Sequence, residues 1–273
     1  MKKIFLFSII SVLSISLLLS GCSNATKPNT ASTTDSNLSS DVKAIKDKGV
    51  LKAGVKVDVP KFGFKDPKTS KTDGFEIDIT KAIAKKIFGD ENKIELQAVT
   101  AKTRGPLLDN GEIDIVVATF TVTEERKKSY NFSDPYFTDS VGLMVKKSAN
   151  IKSLKDLNNK KIGVAQSATS KKAIQEQADK DGIKISFSEF ATYPEIKAAL
   201  DAGRIDCFSV DGSILNGYLD DSTVILGDRF NPQGYGIASK LSNTGLAKLI
   251  NDTVNDMKKS GEIDVLIKKW GIK

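Results

Sequence analysis

The sequence predicts an α/β protein made of two similar halves, each with a mixed, mainly parallel sheet flanked by helices. Between residues 50 and 119, apolar stretches with strand spacing alternate with stretches of helix spacing, the order typical of a parallel sheet. The helix predicted over 74–88 has apolar residues at four-residue intervals, at Phe75, Ile79, Ile83 and Ile87. Later strands and helices are predicted at 161–165, 171–179, 185–190, from Tyr193 onward, and at 243–269.

An internal repeat is the second observation behind this fold class. Residues 108–114 (LDNGEID) lead into a strand that ends at Thr119, and residues 200–206 (LDAGRID) lead into a strand that ends at Asp211. When the two segments are aligned on their glycines, Thr119 and Asp211 fall at the same position. Because ligands bind at the carboxyl ends of strands in open α/β sheets, we expect both residues to face one ligand.

The N-terminus predicts export. Lys2 and Lys3 precede an apolar stretch over 4–19, and a small-residue segment then ends at Cys22. This pattern indicates a lipoprotein signal peptide over 1–21, with Cys22 lipidated and the protein anchored to the outer face of the cell membrane. An uncleaved membrane anchor is the alternative. Residues 22–40 are polar and predict a flexible tether.

Composition excludes several functional classes. The formal net charge of +7 becomes +5 once Lys2 and Lys3 leave with the signal peptide, and no basic block with interleaved aromatics predicts nucleic-acid binding. The chain has no histidine, which excludes histidine-based triads and metal sites; no metal and no cofactor are expected. If Cys22 carries lipid, Cys207 has no partner; its apolar strand favours a buried inert thiol over a reactive one.

Polar residues follow the strand predicted over 113–118. Thr119 and Thr121 offer hydroxyl and backbone groups, and Arg126 offers a guanidinium that can hold a carboxylate with two parallel hydrogen bonds. The alternative is a surface loop with a solvated arginine. In the second half, Thr169 and Ser170 open a helix whose N-terminus could hold an anion, unless they are an ordinary helix cap.

Three motifs carry a resemblance to a known family. Residues 121–126 (TVTEER), 131–136 (NFSDPY) and 205–211 (IDCFSVD), behind the lipidation motif, resemble the polar amino-acid family of extracellular solute-binding proteins that serve ABC importers. The resemblance covers about 42–272 and implies a type II periplasmic-binding-protein fold, with two lobes joined by two crossover strands and the C-terminal helices on the first lobe. The implied limits are 41–142 and 240–273 for lobe 1, 147–234 for lobe 2, and 143–146 and 235–239 for the crossovers.

The resemblance also implies roles for individual residues. Arg126 matches the arginine that binds the ligand α-carboxylate, assisted by Thr121 and Thr169, and Asp211 matches the carboxylate that pairs with the α-ammonium group. Thr119 matches a position whose backbone carbonyl accepts from that ammonium group, although many members have glycine there. Ser170 and Tyr193, which opens the following helix, are further candidate ligand-binding residues.

Two cations lie outside this set. Lys56 ends the first strand, and Arg104 lies in residues 101–108 (AKTRGPLL), which resemble the aspartate- and glutamate-binding members. Together they suit a second carboxylate on the ligand, unless both are solvated surface cations.

The expected function is therefore binding without catalysis. A monomer captures an acidic L-amino acid between its lobes, closes, and delivers it to a membrane permease. Binding of glutamine or another polar amino acid, a surface adhesin, and a dehydratase-like enzyme remain alternatives. For the enzyme, Glu76 or Glu124 could be nominated as acid or base, although the sequence marks neither as special.

Overall fold

The computed structural model describes residues 38–272 of the chain. Its strands are β1 (Leu51–Val55), β2 (Asp58–Val59), β3 (Gly63–Lys65), β4 (Thr72–Asp73), β5 (Ile94–Ala98), β6 (Ile115–Val117), β7 (Tyr130–Phe132), β8 (Phe137–Lys146), β9 (Lys160–Ala165), β10 (Ile185–Phe190), β11 (Cys207–Asp211), β12 (Thr223–Ile225), β13 (Phe230–Tyr235) and β14 (Ala238–Lys240). Its α-helices are α1 (Ser40–Lys48), α2 (Phe75–Phe88), α3 (Arg104–Asn110), α4 (Glu124–Lys127), α5 (Ser170–Asp181), α6 (Tyr193–Asp201), α7 (Gly212–Asn216), α8 (Thr244–Lys259) and α9 (Glu262–Trp270). The predicted signal peptide, the lipidation site Cys22 and the tether up to residue 37 lie outside the described residues.

The last residues of the predicted tether, 38–40, are folded. Leu38 packs against the core, and Ser40 begins α1, which buries Val42 and Ile45 on one face. The folded part therefore begins earlier than the polar composition indicated, because a single leucine among polar residues does not show its packing partner.

Most of the strands form two large sheets in this part of the chain, and β2, β3 and β4 form a third, small one. The first has the order β5-β1-β6-β14-β7, with β1 parallel to β5 and β6 and with β14 antiparallel to its neighbours. The second has the order β10-β9-β11-β8-β12, with β9 parallel to β10 and β11, and β8 antiparallel to β11 and β13. Each sheet thus has three parallel strands beside an antiparallel one. The predicted fold class, two mixed sheets with flanking helices, is confirmed.

The internal repeat marks the same turn in both sheets. The glycine of each segment follows the end of a helix and has a positive φ, a left-handed backbone conformation that glycine adopts more easily than other residues. The aspartate that follows accepts a hydrogen bond from a neighbouring strand: Asp114 from the backbone N–H of Lys52 at 3.0 Å, and Asp206 from that of Lys161 at 2.9 Å. These turns fix where β6 and β11 begin. They therefore also fix the positions of the polar residues at the ends of these strands, Thr119 and Asp211.

The first crossing between the sheets lies earlier in the chain than predicted. Residues 143–146 belong to β8 and pair with β11 and β12 in the second sheet. The chain leaves the first sheet after β7, so the crossing segment is 133–136; it returns at 236–237, between β13 and β14. The apolar pattern of 141–146 predicts a strand, but it does not show which sheet that strand joins.

The two crossing segments are hydrogen-bonded to each other. Ser133 donates its backbone N–H to the carbonyl of Ile237 at 3.0 Å and accepts from the Ile237 N–H through its hydroxyl at 3.0 Å. Tyr136 donates its backbone N–H to the carbonyl of Tyr235 at 2.9 Å. A cluster of aromatic rings packs around them: Phe62, Phe75, Tyr136, Phe137 and Tyr235.

The C-terminal helices pack on the first sheet, as the resemblance implies. Helix α8 lies against α1, α2 and β14, and α9 lies against α2 and α8. The Trp270 indole N–H donates to Asp78 of α2 at 2.8 Å. The single helical stretch predicted over 243–269 is two helices, because Gly261 adopts φ 78° between them.

Gly74 sets the start of α2 and with it the position of Glu76. It has φ 148°, and a Cβ atom there would lie 2.1 Å from the carbonyl oxygen of Phe62. The same carbonyl accepts the backbone N–H of Glu76 at 2.9 Å. A side chain at residue 74 would therefore displace the backbone that holds Glu76.

We expect Gly74→Ala to lower the free energy of unfolding by roughly 3 kcal/mol or more, through backbone strain and overpacking together. Gly89→Ala is the matched control at the other end of α2, because Gly89 has φ 74° but no atom within 4 Å of a Cβ. It should cost only about 1–2 kcal/mol. Urea unfolding of both variants measures the difference in the free energy of unfolding. Equal losses in the two variants would show that the close contact with the Phe62 carbonyl adds nothing to the cost.

Candidate ligand-binding site

The predicted site residues lie at the ends of strands, or at the helix starts that follow them, in both sheets. The predicted set is Lys56, Arg104, Thr119, Thr121, Arg126, Thr169, Ser170, Tyr193 and Asp211. All are buried except Arg126 and Thr169, which are partly buried. Contacts between them join the two lobes.

Arg126 spans the two lobes through its guanidinium group. One terminal nitrogen donates to the carbonyl of Thr121 at 2.8 Å, and the other donates to the carbonyl of Ser167, in the second lobe, at 3.1 Å. The group also lies 4.7 Å from the centre of the Phe120 ring. Burial, with the charge of Arg104, lowers the pKa of Arg126 to about 9. A bound anion would stabilise the charged guanidinium against both burial and the charge of Arg104. This suits Arg126 to binding the ligand carboxylate, the role that the resemblance implies.

Gln233 is a residue that the sequence prediction missed. Its side-chain oxygen accepts from the hydroxyl of Thr121 at 2.8 Å and from the hydroxyl of Thr169 at 2.6 Å. Its amide nitrogen donates to the carbonyl of Asn231 at 2.7 Å, which fixes the orientation of the side chain. Thr121 and Thr169 were expected to assist Arg126 directly, but their hydroxyl protons are directed at Gln233. No spacing or composition signal marks this glutamine.

Asp211 ends β11 in a buried position. One of its oxygens accepts from the Tyr235 hydroxyl at 2.5 Å. Burial raises the pKa of Asp211 to about 7, against the lowering effect of the Tyr235 hydrogen bond. A ligand cation would supply the compensating charge that this carboxylate lacks.

The backbone of Thr119 is hydrogen-bonded to an acidic side chain, Glu76, and to a basic one, Arg104. Thr119 is a β-branched residue with φ 44°, a conformation that costs on the order of 1–3 kcal/mol. Its N–H donates to the carboxylate of Glu76 at 2.6 Å, and its carbonyl accepts from Arg104 at 3.0 Å. The same Arg104 nitrogen donates to the carbonyl of Ala118 at 2.6 Å. The Thr119 carbonyl, predicted to bind an ammonium group, is thus already used by Arg104, with one lone pair left.

Lys56 is not a free cation. It is only 2% exposed, and its ammonium nitrogen lies 2.9 Å from Asp58 and 4.7 Å from the centre of the Tyr193 ring. Burial lowers the pKa of Lys56, and the charge of Asp58 opposes that shift. Asp58 also reaches the second lobe, where its carbonyl accepts from the hydroxyl of Tyr218. Nothing in the sequence indicates this pair beyond two charged residues at alternate positions after a strand.

Several buried polar atoms of the site lack a hydrogen-bond partner. Within residues 38–272 such side-chain atoms are Oε2 of Glu76, Nε of Arg104, Oγ1 of Thr119, Oγ of Ser170 and Oγ of Ser239, whereas Oδ1 of Asp58 has the Lys56 ammonium at 2.9 Å. Buried polar groups are nearly always hydrogen-bonded, so a cluster of exceptions indicates a place where a polar ligand binds. All but Ser239 belong to predicted site residues or to their direct partners. Glu76, considered above only as a possible acid or base, is one of them.

Residues 38–272 contain neither a candidate metal site nor a candidate membrane span. No group of three or more potential metal-binding side chains comes together there. In the same residues, no helix has both the length and the apolar character needed to span a membrane.

Two sheets joined by paired crossings, with polar strand ends that contact each other across the lobes, define the periplasmic-binding-protein fold. The chain matches the bacterial extracellular solute-binding proteins, family 3, over residues 51–273, and it belongs to that family. Membership of an extracellular family implies a location outside the cytoplasm.

Relatives and solved structures agree with this assignment. A glutamine-binding protein of an ABC transporter in Bacillus subtilis (strain 168) is 40% identical over 273 residues, covering 99% of this chain and 97% of the relative. A glutamine-binding protein of Geobacillus stearothermophilus is 41% identical over 254 residues, covering 90% and 95%. An ancestral arginine-binding protein, solved with glutamine bound, is 38% identical, with a TM-score of 0.73 and coverage of 81% and 97%.

We expect Arg126→Ala to weaken every ligand that the parent binds by roughly 2–5 kcal/mol, because it leaves an anion without its partner in a buried site. Lys127→Ala is the matched control, since Lys127 is 51% exposed and pairs only with Glu124 in the same turn. Calorimetry measures both. Binding by Arg126→Ala within threefold of the parent would show that Arg126 does not contact the ligand.

Acid should weaken binding through Asp211. Because its pKa is raised to about 7, the group is mostly neutral at about pH 5.5, whereas an ammonium ligand needs the carboxylate. Affinity should therefore fall as the pH drops below about 7, by up to about tenfold per unit. Dissociation constants measured at about pH 8 and about pH 5.5, at one ionic strength, test this; a constant affinity would contradict it.

Proposed function

We propose that this protein is the substrate-binding component of an ABC importer for polar amino acids, and that glutamine is its preferred ligand. The glutamine-binding relatives, which align with nearly the whole chain, support this proposal. So does a site with a partly buried cation, Arg126, and a buried anion, Asp211, which suit a zwitterionic head group.

The observation that carries the glutamine assignment is the charge balance around the far end of the ligand. Lys56 pairs with Asp58 at 2.9 Å, and Arg104 and Glu76 bind the two ends of the Ala118–Thr119 peptide group, at the Ala118 carbonyl and the Thr119 N–H. The acidic ligand expected from the sequence relied on Lys56 and Arg104 as two uncompensated cations. With two acids beside them, a second ligand carboxylate has no net positive charge to meet.

An amide suits such a balanced site better than a carboxylate. Its oxygen can accept from a cationic donor, while its NH2 group can donate to an acidic oxygen. Nε of Arg104 and Oε2 of Glu76 both lack hydrogen-bond partners and are candidates for these two roles. A carboxylate could use the donor but would repel the acid.

Transport rather than catalysis follows from this assignment. The ligand contacts both lobes only when they are closed, so binding favours the closed form, and that form is the one a membrane permease would receive. Lipidation of Cys22 would hold a monomeric receptor at the outer face of the membrane beside its permease. An enzyme would instead change the bound amino acid, which NMR of the incubated ligand would reveal.

A thermal-shift screen against the twenty amino acids tests the proposal. Glutamine should give the largest shift, since a ligand at about 100 times its dissociation constant adds about 2.7 kcal/mol of stability. A larger shift with aspartate or glutamate would restore the acidic ligand expected from the sequence. No shift with any amino acid would refute the function itself.

A further inference from the structure

We propose that Glu76 determines whether the site accepts an amide or a carboxylate at the far end of the ligand. In its ionised form it completes a balanced site for glutamine; when it carries a proton, the site suits glutamate. Binding of the acidic ligand therefore brings a proton into the site. The inference rests on the proposed function, because it concerns the side-chain end of an amino-acid ligand.

Glu76 has one oxygen with two hydrogen bonds and one oxygen without a partner, so a ligand can complete either protonation state. It is the second residue of α2, and its exposed fraction is 0%. One oxygen accepts from the N–H of Thr119 at 2.6 Å and from the hydroxyl of Tyr136 at 2.5 Å. The other oxygen has no partner and could hold a proton or accept from a ligand. Among the ion pairs of residues 38–272, none includes Glu76.

The charges that face Glu76 come from several elements. Burial raises its pKa, whereas Tyr136 and the Thr119 N–H, through hydrogen bonds, and Arg104 and Lys56, through their charges, lower it. The charge of Lys56 is largely offset by Asp58, so Arg104 is the main cation acting on Glu76. A ligand carboxylate placed near these groups would compete with Glu76 for Arg104 and favour the protonated acid.

The charges of the site also make the protonation of Glu76 decide between an amide and a carboxylate. Arg126 and Asp211 match the two charges of the ligand head group, and Lys56 matches Asp58. Arg104 and Glu76 remain. When Glu76 is ionised they cancel, and a neutral amide fits; when Glu76 is protonated the charge of Arg104 is free for a ligand carboxylate.

A purely structural role for Glu76 is the competing explanation. The carboxylate holds the N–H of Thr119 and so supports its strained backbone. Such a role affects stability and the affinity of all ligands alike. A structural role does not make the number of protons taken up on binding differ between glutamate and glutamine.

Calorimetry on the unmodified protein separates the two explanations. Glutamate and glutamine are each titrated in two buffers of different ionisation enthalpy at one pH. We expect glutamate to take up about one proton more than glutamine. The titration of Asp211 does not affect this difference, because both ligands have the same ammonium group. The ratio of the glutamate to the glutamine dissociation constant should also rise with pH, by up to about tenfold per unit, because the acidic ligand needs the proton.

Glu76→Gln supplies the second test. The variant keeps an oxygen for the Thr119 N–H but removes the charge. It should abolish the proton difference and improve glutamate relative to glutamine by about tenfold or more, the effect of about one pKa unit of lost repulsion. Glu124→Gln is the matched control: it makes the same change on the same lobe at a side chain that is 88% exposed, and it should leave the ratio unchanged.

The outcomes are distinct. If both ligands bind the unmodified protein with equal proton uptake, or if Glu76→Gln leaves the ratio unchanged, Glu76 is structural and the inference is wrong. If Glu76→Gln does not fold, proton uptake by the unmodified protein decides. If neither ligand binds, the proposed function is wrong and the inference falls with it.

Discussion

Strand β13, which leads into the return crossing from the second sheet to the first, is the constraint on which the site depends. Gln233 and Tyr235 lie two residues apart on β13, so their side chains point to the same face of the strand. Gln233 accepts hydroxyl hydrogen bonds from both lobes, and Tyr235 donates to Asp211. A shift of this strand by one residue would turn both side chains away and leave Asp211 without its donor.

Buried charge is tolerated in this cleft because acids and bases are interleaved. Lys56 and Asp58 form a direct pair, whereas Arg104 and Glu76 act on each other through the peptide groups of Thr119. A buried ion without a partner costs several kcal/mol, so this interleaving stabilises the folded protein while leaving the site close to neutral. Specificity then depends on a small difference between opposing charges. For that reason one proton on one side chain is enough to change it.

The sequence was sufficient for the fold class and for the position of the predicted ligand-binding residues at strand ends or at the helix starts that follow. Periodicity and the repeated LDxGxID segments carry that information locally, as Asp114 and Asp206 show. The partners of the charged residues are not local. Glu76 appears in the sequence as one more acid in a helix, and only the packing of α2 under Thr119 shows that it is buried. The first crossing was misplaced for the same reason, because strand pairing decides which sheet β8 joins.

The paired crossings also bear on how fast the ligand is released. Two short segments joined side by side by hydrogen bonds form a narrow strap, and we expect it to bend about one axis more readily than it slides or twists. Opening would then separate the contacts between the lobes in a reproducible order, with those farthest from the strap parting first. The lifetime of the loaded receptor would then depend on the two hydrogen bonds between Ser133 and Ile237, one between backbone groups and one to the Ser133 hydroxyl. Ligand selection and release timing could therefore evolve separately, through side chains in the cleft and through the backbone of the strap.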